Sequence, residues 1–132
     1  MVIDTSALVA ILCDEPDASR IEAAIERDPV RLVSAGTLLE TSVVIEARFG
    51  EAGGRELDLM IHKANIEIVA FDREQAELAR DAYRRFGKGR HPAALNFGDC
   101  FAYALCASRG ESLLFNGNDF GDTDLEIALD PA

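Results

Sequence analysis

Only two histidines and three cysteines occur among the 132 residues. Neither type is spaced as a zinc site requires. Cys13, Cys100 and Cys106 form no CxxC pair and have no histidine at zinc-site spacing, which excludes a centre of thiolates and imidazoles. The odd count, with Cys100 and Cys106 on different faces of a helical pattern, argues against a disulfide framework, and the thiols read as small buried hydrophobes. No apolar run approaches the roughly 18 residues that span a bilayer. The N-terminus lacks a Lys/Arg-rich lead and a small-residue cleavage site, so no secretory signal is read there, and a cytoplasmic protein is expected. No repeat, low-complexity tract or Pro/Ser-rich linker divides the chain, which is expected to form a single domain over residues 1–132.

Cations are scarce as well. Thirteen Lys and Arg against 24 Asp and Glu leave a net charge of −11. That balance argues against a protein that binds nucleic acid by general attraction. It leaves room for nucleic acid approached through divalent ions or a local basic patch, and for a basic partner protein. A hydrophobic content of 48% with 28% charged residues is globular composition and excludes disorder.

What the chain does have is an alternation of short apolar runs and longer helical patterns. Strands are expected at 1–3, 31–33, 66–71 and 112–115, with a further one at 125–129. Helices are expected at 5–12, 17–27, 38–49, 55–63, 72–85 and 97–108. Asp72 with Gln75 makes a capping-box start to a helix whose apolar positions are Ala76, Ala79 and Tyr83. Asn96 is suited to cap the helix that carries Asp99, and Gly110 to end it in a left-handed conformation. The pattern predicts an α/β domain with a mainly parallel central sheet. In such sheets ligands gather beyond the carboxyl ends of the strands. Asp4 stands at one such end, and the loop "NGND" after "SLLF" at another.

Four carboxylates occupy costly positions. Asp4 interrupts the apolar stretch "MVIDTSALVAIL", where an unpaired buried charge costs several kcal/mol. A helix cap at Thr5 explains it in isolation. Glu40, in "LLETSVVIEARFG", borders an expected core stripe of Leu39, Val43, Val44 and Ala47. Its ordinary reading is a solvated glutamate, a role that Glu46 fits better. Asp99 begins "DCFAYALCASRG", a helix apolar nearly all round. The dipole of that helix repays about 0.3–1 kcal/mol, less than burial takes. Asp119 follows the strand end directly, with Asp122 and Asp124 further along the same turn and Phe120 as its anchor.

If the sheet brings Asp4, Glu40, Asp99 and Asp119 together, each pair at about 4 Å repels by about 4 kcal/mol at an effective dielectric near 20. Protonation or a divalent cation relieves that repulsion. All-oxygen ligands suit Mg²⁺ or Mn²⁺ better than Zn²⁺, and such a site lends itself to attack of water on a phosphodiester. Just before Asp99, Arg84, Arg85, Lys88 and Arg90 form a basic stretch that can hold nucleic-acid phosphates. Its plainer reading is a solvated helix end with Arg84 and Arg85 on the C-terminal dipole. His91 reads as a surface residue, and His62 is assigned no role.

The segments "VIDTSAL", "LLETSVV", "FGDCFAYALC" and "LLFNGNDF", in that order and, with the following "TDL", spanning residues 2 to 125, resemble the PIN domain and specifically the VapC-type toxins. The resemblance implies a three-layer α/β/α sandwich and a Mg²⁺- or Mn²⁺-dependent endoribonuclease, the toxin of a type II toxin–antitoxin pair. By motif, Asp4 and Asp99 become direct metal ligands, and Glu40 holds the metal through water or orients the attacking water. Asp119 becomes the fourth acidic residue, a task that Asn118 or Asp122 can share, while the hydroxyls of Thr5 and Ser6 support the ligands from behind. The implied partners are an RNA substrate, a cognate VapB-type antitoxin in a hetero-oligomer, and a second copy in a homodimer. No membrane is implied, and DNA is reached only through the antitoxin. The antitoxin is expected to cover the hydrophobic surface of the early helices and to set an Arg or Lys against the acidic site. Two alternatives stand beside this. One is a catalytically silent PIN module that acts by partner binding. The other is a haloacid-dehalogenase-like phosphatase, which needs a second Asp two residues after the first, where Ser6 stands, and a downstream Lys, for which only Lys63 and Lys88 are available.

Overall fold

A computed structural model describes residues 1–117 and 120–129. Four short strands, β1 (Val2–Ile3), β2 (Leu32–Ser34), β3 (Glu67–Val69) and β4 (Leu113–Leu114), form one parallel sheet in the order β3-β2-β1-β4. Five helices connect them: α1 (Thr5–Leu12), α2 (Ala18–Arg27), α3 (Ala35–Lys63), α4 (Arg73–Phe86) and α5 (Asp99–Arg109).

The pleat explains the layers. Successive strand residues point to opposite faces, so Val2, Leu32 and Leu113 pack with α4 and α5, in a core holding Ala82, Phe86, Tyr103 and Leu105. Ile3, Val33 and Leu114 pack with α1 and α2 on the other face, against Leu8, Ile21 and Ile25, with Leu38 and Met60 of α3. Strands buried on both faces need continuous apolar runs, as these have. The result is the expected α/β/α sandwich.

The chain builds outward from β1 to β2 and β3, then returns through α5 to place β4 on the other side of β1. The strand order therefore reverses at β1, and the crevice beyond its carboxyl end is where such sheets bind ligands. Asp4 is the next residue, and its N–H donates to the Leu114 carbonyl at 2.9 Å.

Local chemistry sets the helix ends. Asp72 Oδ1 accepts from Gln75 N at 2.9 Å, but Gln75 does not complete the capping box; its Nε2 donates to Ala70 O at 3.0 Å. Gly110 ends α5 at φ 66° and ψ 34°, as expected. The helices expected at 38–49 and 55–63 are one element, α3, bent at Gly50, whose φ of 65° with ψ of −161° favours a residue without Cβ.

Three expectations change. Residues 125–129 form no strand: a single bridge pairs Ile127 with Leu113. The expected core stripe of α3 faces outward, with Leu39 66% and Val43 61% exposed. The face it turns inward carries Thr37, Thr41 and Ile45, because the adjoining wall is the polar carboxylate crevice. In α4, Ala82 and Phe86 are buried and Tyr83 is exposed, so Ala76, Ala79 and Tyr83 line an open cavity. Among the described residues, no helix is long and apolar enough to cross a membrane.

Candidate functional site

Asp4 does two jobs with two oxygens. It is the N-cap of α1, with Oδ2 accepting from Ser6 N at 3.1 Å and from Ser6 Oγ at 2.7 Å. Ser6 Oγ in turn accepts from Asn116 N at 2.9 Å, which ties the loop after β4 to this carboxylate. The other oxygen, Oδ1, is buried with no hydrogen-bond partner, although the residue is only 4% exposed. Burial pushes the Asp4 carboxyl from 3.8 up to about 6; the Ser6 hydrogen bonds pull it down, and the nearby Glu40 carboxylate pushes it further up.

Glu40 reaches the same crevice from α3. Its Oε1 accepts from Thr5 Oγ1 at 2.6 Å. The Thr41 hydroxyl, which donates to Thr37 O at 2.8 Å, lies 3.1 Å from Thr5 Oγ1. Glu40 also lies against Gly98, where a Cβ would overlap its carboxylate. Only glycine lets the N-terminal turn of α5 approach this closely. That turn begins with Asp99, which is 7% exposed. Its Oδ2 accepts from Asn96 N at 3.0 Å, while its own N–H donates to Asn96 Oδ1 at 2.9 Å. This reciprocal cap orients the side chain. Asp4 and Asp99 thus each spend an oxygen on a helix start, where the dipole favours negative charge.

The structure accordingly brings Asp4 beside Glu40, and Glu40 against the residue preceding Asp99. Asn118 and Asp119 lie outside the described residues. Asp122 is exposed. Asp124 belongs to a separate cluster: it accepts from Tyr103 Oη at 2.6 Å and from Arg85 Nη2 at 2.8 Å. Burial raises the Asp124 carboxyl, but the Tyr103 and Arg85 bonds outweigh it and leave the group below its ordinary range. Burial and the Asp124 bond together push the Tyr103 hydroxyl up to about 12. Arg85 is further tied to Asp81 at 3.1 Å, whereas Arg84, Lys88 and Arg90 line the cavity between α4 and α5. Thr41 and Asn116 carry no sign of a site role in the sequence, and Asn96 meets Asp99 as the expected cap. The Asn-x-x-Asp spacing of 96 to 99 signals that cap locally; the return bond from Asn96 N to Asp99 Oδ2, which orients the carboxylate, comes with it.

Among the described residues, no three His, Cys, Asp or Glu side chains form a group able to hold a metal ion by themselves. A hard cation still fits the donors present. Asp4 Oδ1 is a buried anionic oxygen with no donor, and the Glu40 carboxylate is near enough to raise its pKa. Mg²⁺ is commonly held by one or two carboxylates and keeps several waters.

The PIN domain model matches residues 1–126. The protein named Ribonuclease VapC30 from Mycobacterium tuberculosis (strain ATCC 25618 / H37Rv) is 62% identical over 131 residues, 99% of this chain and 100% of its own. Ribonuclease VapC from Mycolicibacterium smegmatis is 62% identical over 125 residues, 95% of this chain and 97% of its own. Among solved structures, the Mycobacterium tuberculosis VapC20, a sarcin-ricin loop cleaving toxin, superposes with a TM-score of 0.80 at 16% identity, covering 98% of both chains. The VapBC2 of Rickettsia felis bound to a DNA fragment from its promoter gives 0.74 at 15% identity, covering 96% of this chain and 94% of the other. With the family model covering nearly the whole chain, and relatives this similar over their full length, the protein belongs to the PIN domain family, among the VapC ribonucleases.

Proposed function

We propose that the chain is a divalent-metal-dependent endoribonuclease, the toxin of a type II toxin–antitoxin pair, acting in the cytoplasm. One observation carries the metal reading: Asp4 Oδ1 is buried without a partner beside a second carboxylate. Asp4, Asp99 and Glu40 would hold Mg²⁺ or Mn²⁺, with Asp119 as the fourth carboxylate by motif. A bound cation supplies charge stabilisation of the scissile phosphodiester and a more acidic water. The chain's own residues do the rest. Ser6 and Asn96 fix the rotamers of Asp4 and Asp99. Thr5 occupies Glu40 Oε1, which leaves Oε2 to orient the attacking water and take its proton. Arg84, Lys88 and Arg90 draw phosphates toward an otherwise acidic molecule.

The partners follow from the surfaces. A cleft of about 660 Å³ between α1, α2 and the second half of α3 has an apolar lining, including Ile11, Ile25 and Met60, and a charged rim of Glu22, Glu26 and Glu56 with Arg31 and Lys63. It suits an amphipathic antitoxin segment. The outward Leu39 and Val43 of α3 suit a symmetric contact with a second copy.

The test is cleavage of RNA by the purified protein with Mg²⁺ or Mn²⁺ against EDTA, beside Asp4→Asn and Asp99→Asn. Metal-dependent cleavage lost in both variants is expected. Metal-independent cleavage, or full activity in both variants, overturns the reading.

A further inference from the structure

Between α4, residues 87–98 and the start of α5 lies a cavity of about 760 Å³, a volume typical of small-ligand sites. Its floor is aromatic. Phe71 meets Phe101 edge to face at 4.7 Å between ring centroids, and Phe101 meets Phe97 in the same way at 5.1 Å. Phe97 ends this ladder 79% exposed, beside Gly98 and two residues from Asp99. Tyr83 contributes a fourth ring from α4.

The rim is cationic: Arg80, Arg84, Lys88 and Arg90. Arg80 pairs with Glu77 at 3.3 Å. Among the described residues the other three make no ion pair, although the chain as a whole carries −11. The Arg90 guanidinium lies 5.9 Å from the Tyr83 ring centre. Among the described residues, no carboxylate lines the cavity.

A second copy of the chain is a poor occupant for this face. Two-fold symmetry would set these cations against their own counterparts, and among the described residues the acidic neighbour at the rim, Glu77, is already paired with Arg80. A single-stranded polynucleotide supplies both missing halves: phosphates for the rim and the face of an unstacked base for the rings. Asn96 joins this cavity to the carboxylates, since it forms part of the wall while its Oδ1 accepts from Asp99 N at 2.9 Å.

We propose that this cavity holds one base of the RNA, stacked on Phe97 with Phe101 behind it, and so fixes which position along the strand meets the carboxylates. The inference rests on the ribonuclease reading and deepens it. The phosphate contacts belong to that reading; the ring platform is additional. A base seated against Phe97 sets the register of the strand, because the helix carrying Asp99 starts within the same turn. A base locked inside a duplex cannot offer its face to these rings.

The probe is a fluorescein-labelled, single-stranded eight-residue RNA, compared with a hairpin stem of equal length, both in EDTA so that binding is read without cleavage. Phe97→Ala should weaken single-strand binding about 5- to 150-fold, the range of one lost base–aromatic stack, and Phe97→Tyr should restore it. The salt dependence of binding should stay unchanged in Phe97→Ala and fall by about 0.7 in slope for each cation removed, as in Lys88→Gln. Stem binding should be weaker and indifferent to Phe97. Undetectable single-strand binding by the unaltered protein, or equal binding by Phe97→Ala, overturns the proposal. A change in sedimentation with unchanged RNA affinity overturns it in favour of a copy–copy contact. Failure of the two readings is separable: cleavage in Mg²⁺ with Phe97-independent binding removes the base site alone, whereas Phe97-dependent binding without cleavage in any metal removes the ribonuclease and leaves the base site.

Discussion

Replacing Asp4 with Asn should make the metal-free protein more stable at neutral pH. The side chain is 4% exposed, and its carboxyl is raised from 3.8 to about 6. At about 1.4 kcal/mol per pH unit, that elevation opposes the charged form by about 3 kcal/mol. The sign follows from linkage. The folded state holds this proton more tightly than the unfolded one, so its contribution to stability is complete below pH 3.8 and is lost as pH rises through about 6. Asn keeps the cap, because its carbonyl oxygen can accept from Ser6 N as Oδ2 does, and Asn ranks with Asp at N-caps. Urea unfolding in EDTA should therefore show variant and unaltered protein differing little near pH 4. The variant should gain progressively, by about 3 kcal/mol at most, by pH 7. Adding MgCl₂ at pH 7 should stabilise the unaltered protein and leave Asp4→Asn unmoved, since a cation that binds only the folded state shifts the equilibrium by mass action. A stability difference independent of pH, or equal stabilisation of both proteins by Mg²⁺, refutes the account of Oδ1 as an uncompensated buried charge.

Four further outcomes are expected. Gly98→Ala puts a methyl where the Glu40 carboxylate lies, so single-turnover RNA cleavage should fall by about tenfold or more, about 1.4 kcal/mol of barrier, with the helical circular dichroism retained. Thr5→Val removes the 2.6 Å bond to Glu40 and should lower unfolding free energy by about 1 kcal/mol together with activity, while Thr5→Ser preserves both. Asp124 has a depressed carboxyl pKa, so its stabilisation is present above 3.8 and lost as pH falls below it; Asp124→Asn should flatten the acid limb of a melting-temperature profile between pH 5 and about 2.5. The double variant Leu39→Asp/Val43→Asp, at positions 66% and 61% exposed, should keep its melting temperature and sediment as a monomer if α3 forms the copy–copy contact.

Where local chemistry is strong, the chain could be read residue by residue. Asp4 before a helical run, Asp72 three residues before Gln75, and Gly110 after an apolar helix all act within one turn, and each cap formed. The double-faced apolar runs at 2–3, 32–34 and 113–114 were enough to predict a buried parallel sheet, because pleating demands hydrophobic neighbours on both sides. The four motif segments carried the family, since their residues and order are linear properties.

Orientation was another matter. Leu39 and Val43 have the periodicity of a core stripe, yet the helix turns Thr37, Thr41 and Ile45 inward. Periodicity fixes how wide a face is, and only the neighbouring wall decides which face is buried. The Thr5–Glu40 bond joins residues 35 apart in the chain, Ser6 meets Asn116 from 110 away, and Gly98 yields space to Glu40. These are contacts between elements, invisible until the sheet stacks them. Arg85 shows the same limit from the other side: adjacent to Arg84 in a basic run, it is drawn off to Asp124 and Asp81, while Arg84 rims the aromatic cavity. Neighbours along a helix point about 100° apart, and the pairing of each charge is settled by what the fold brings opposite it.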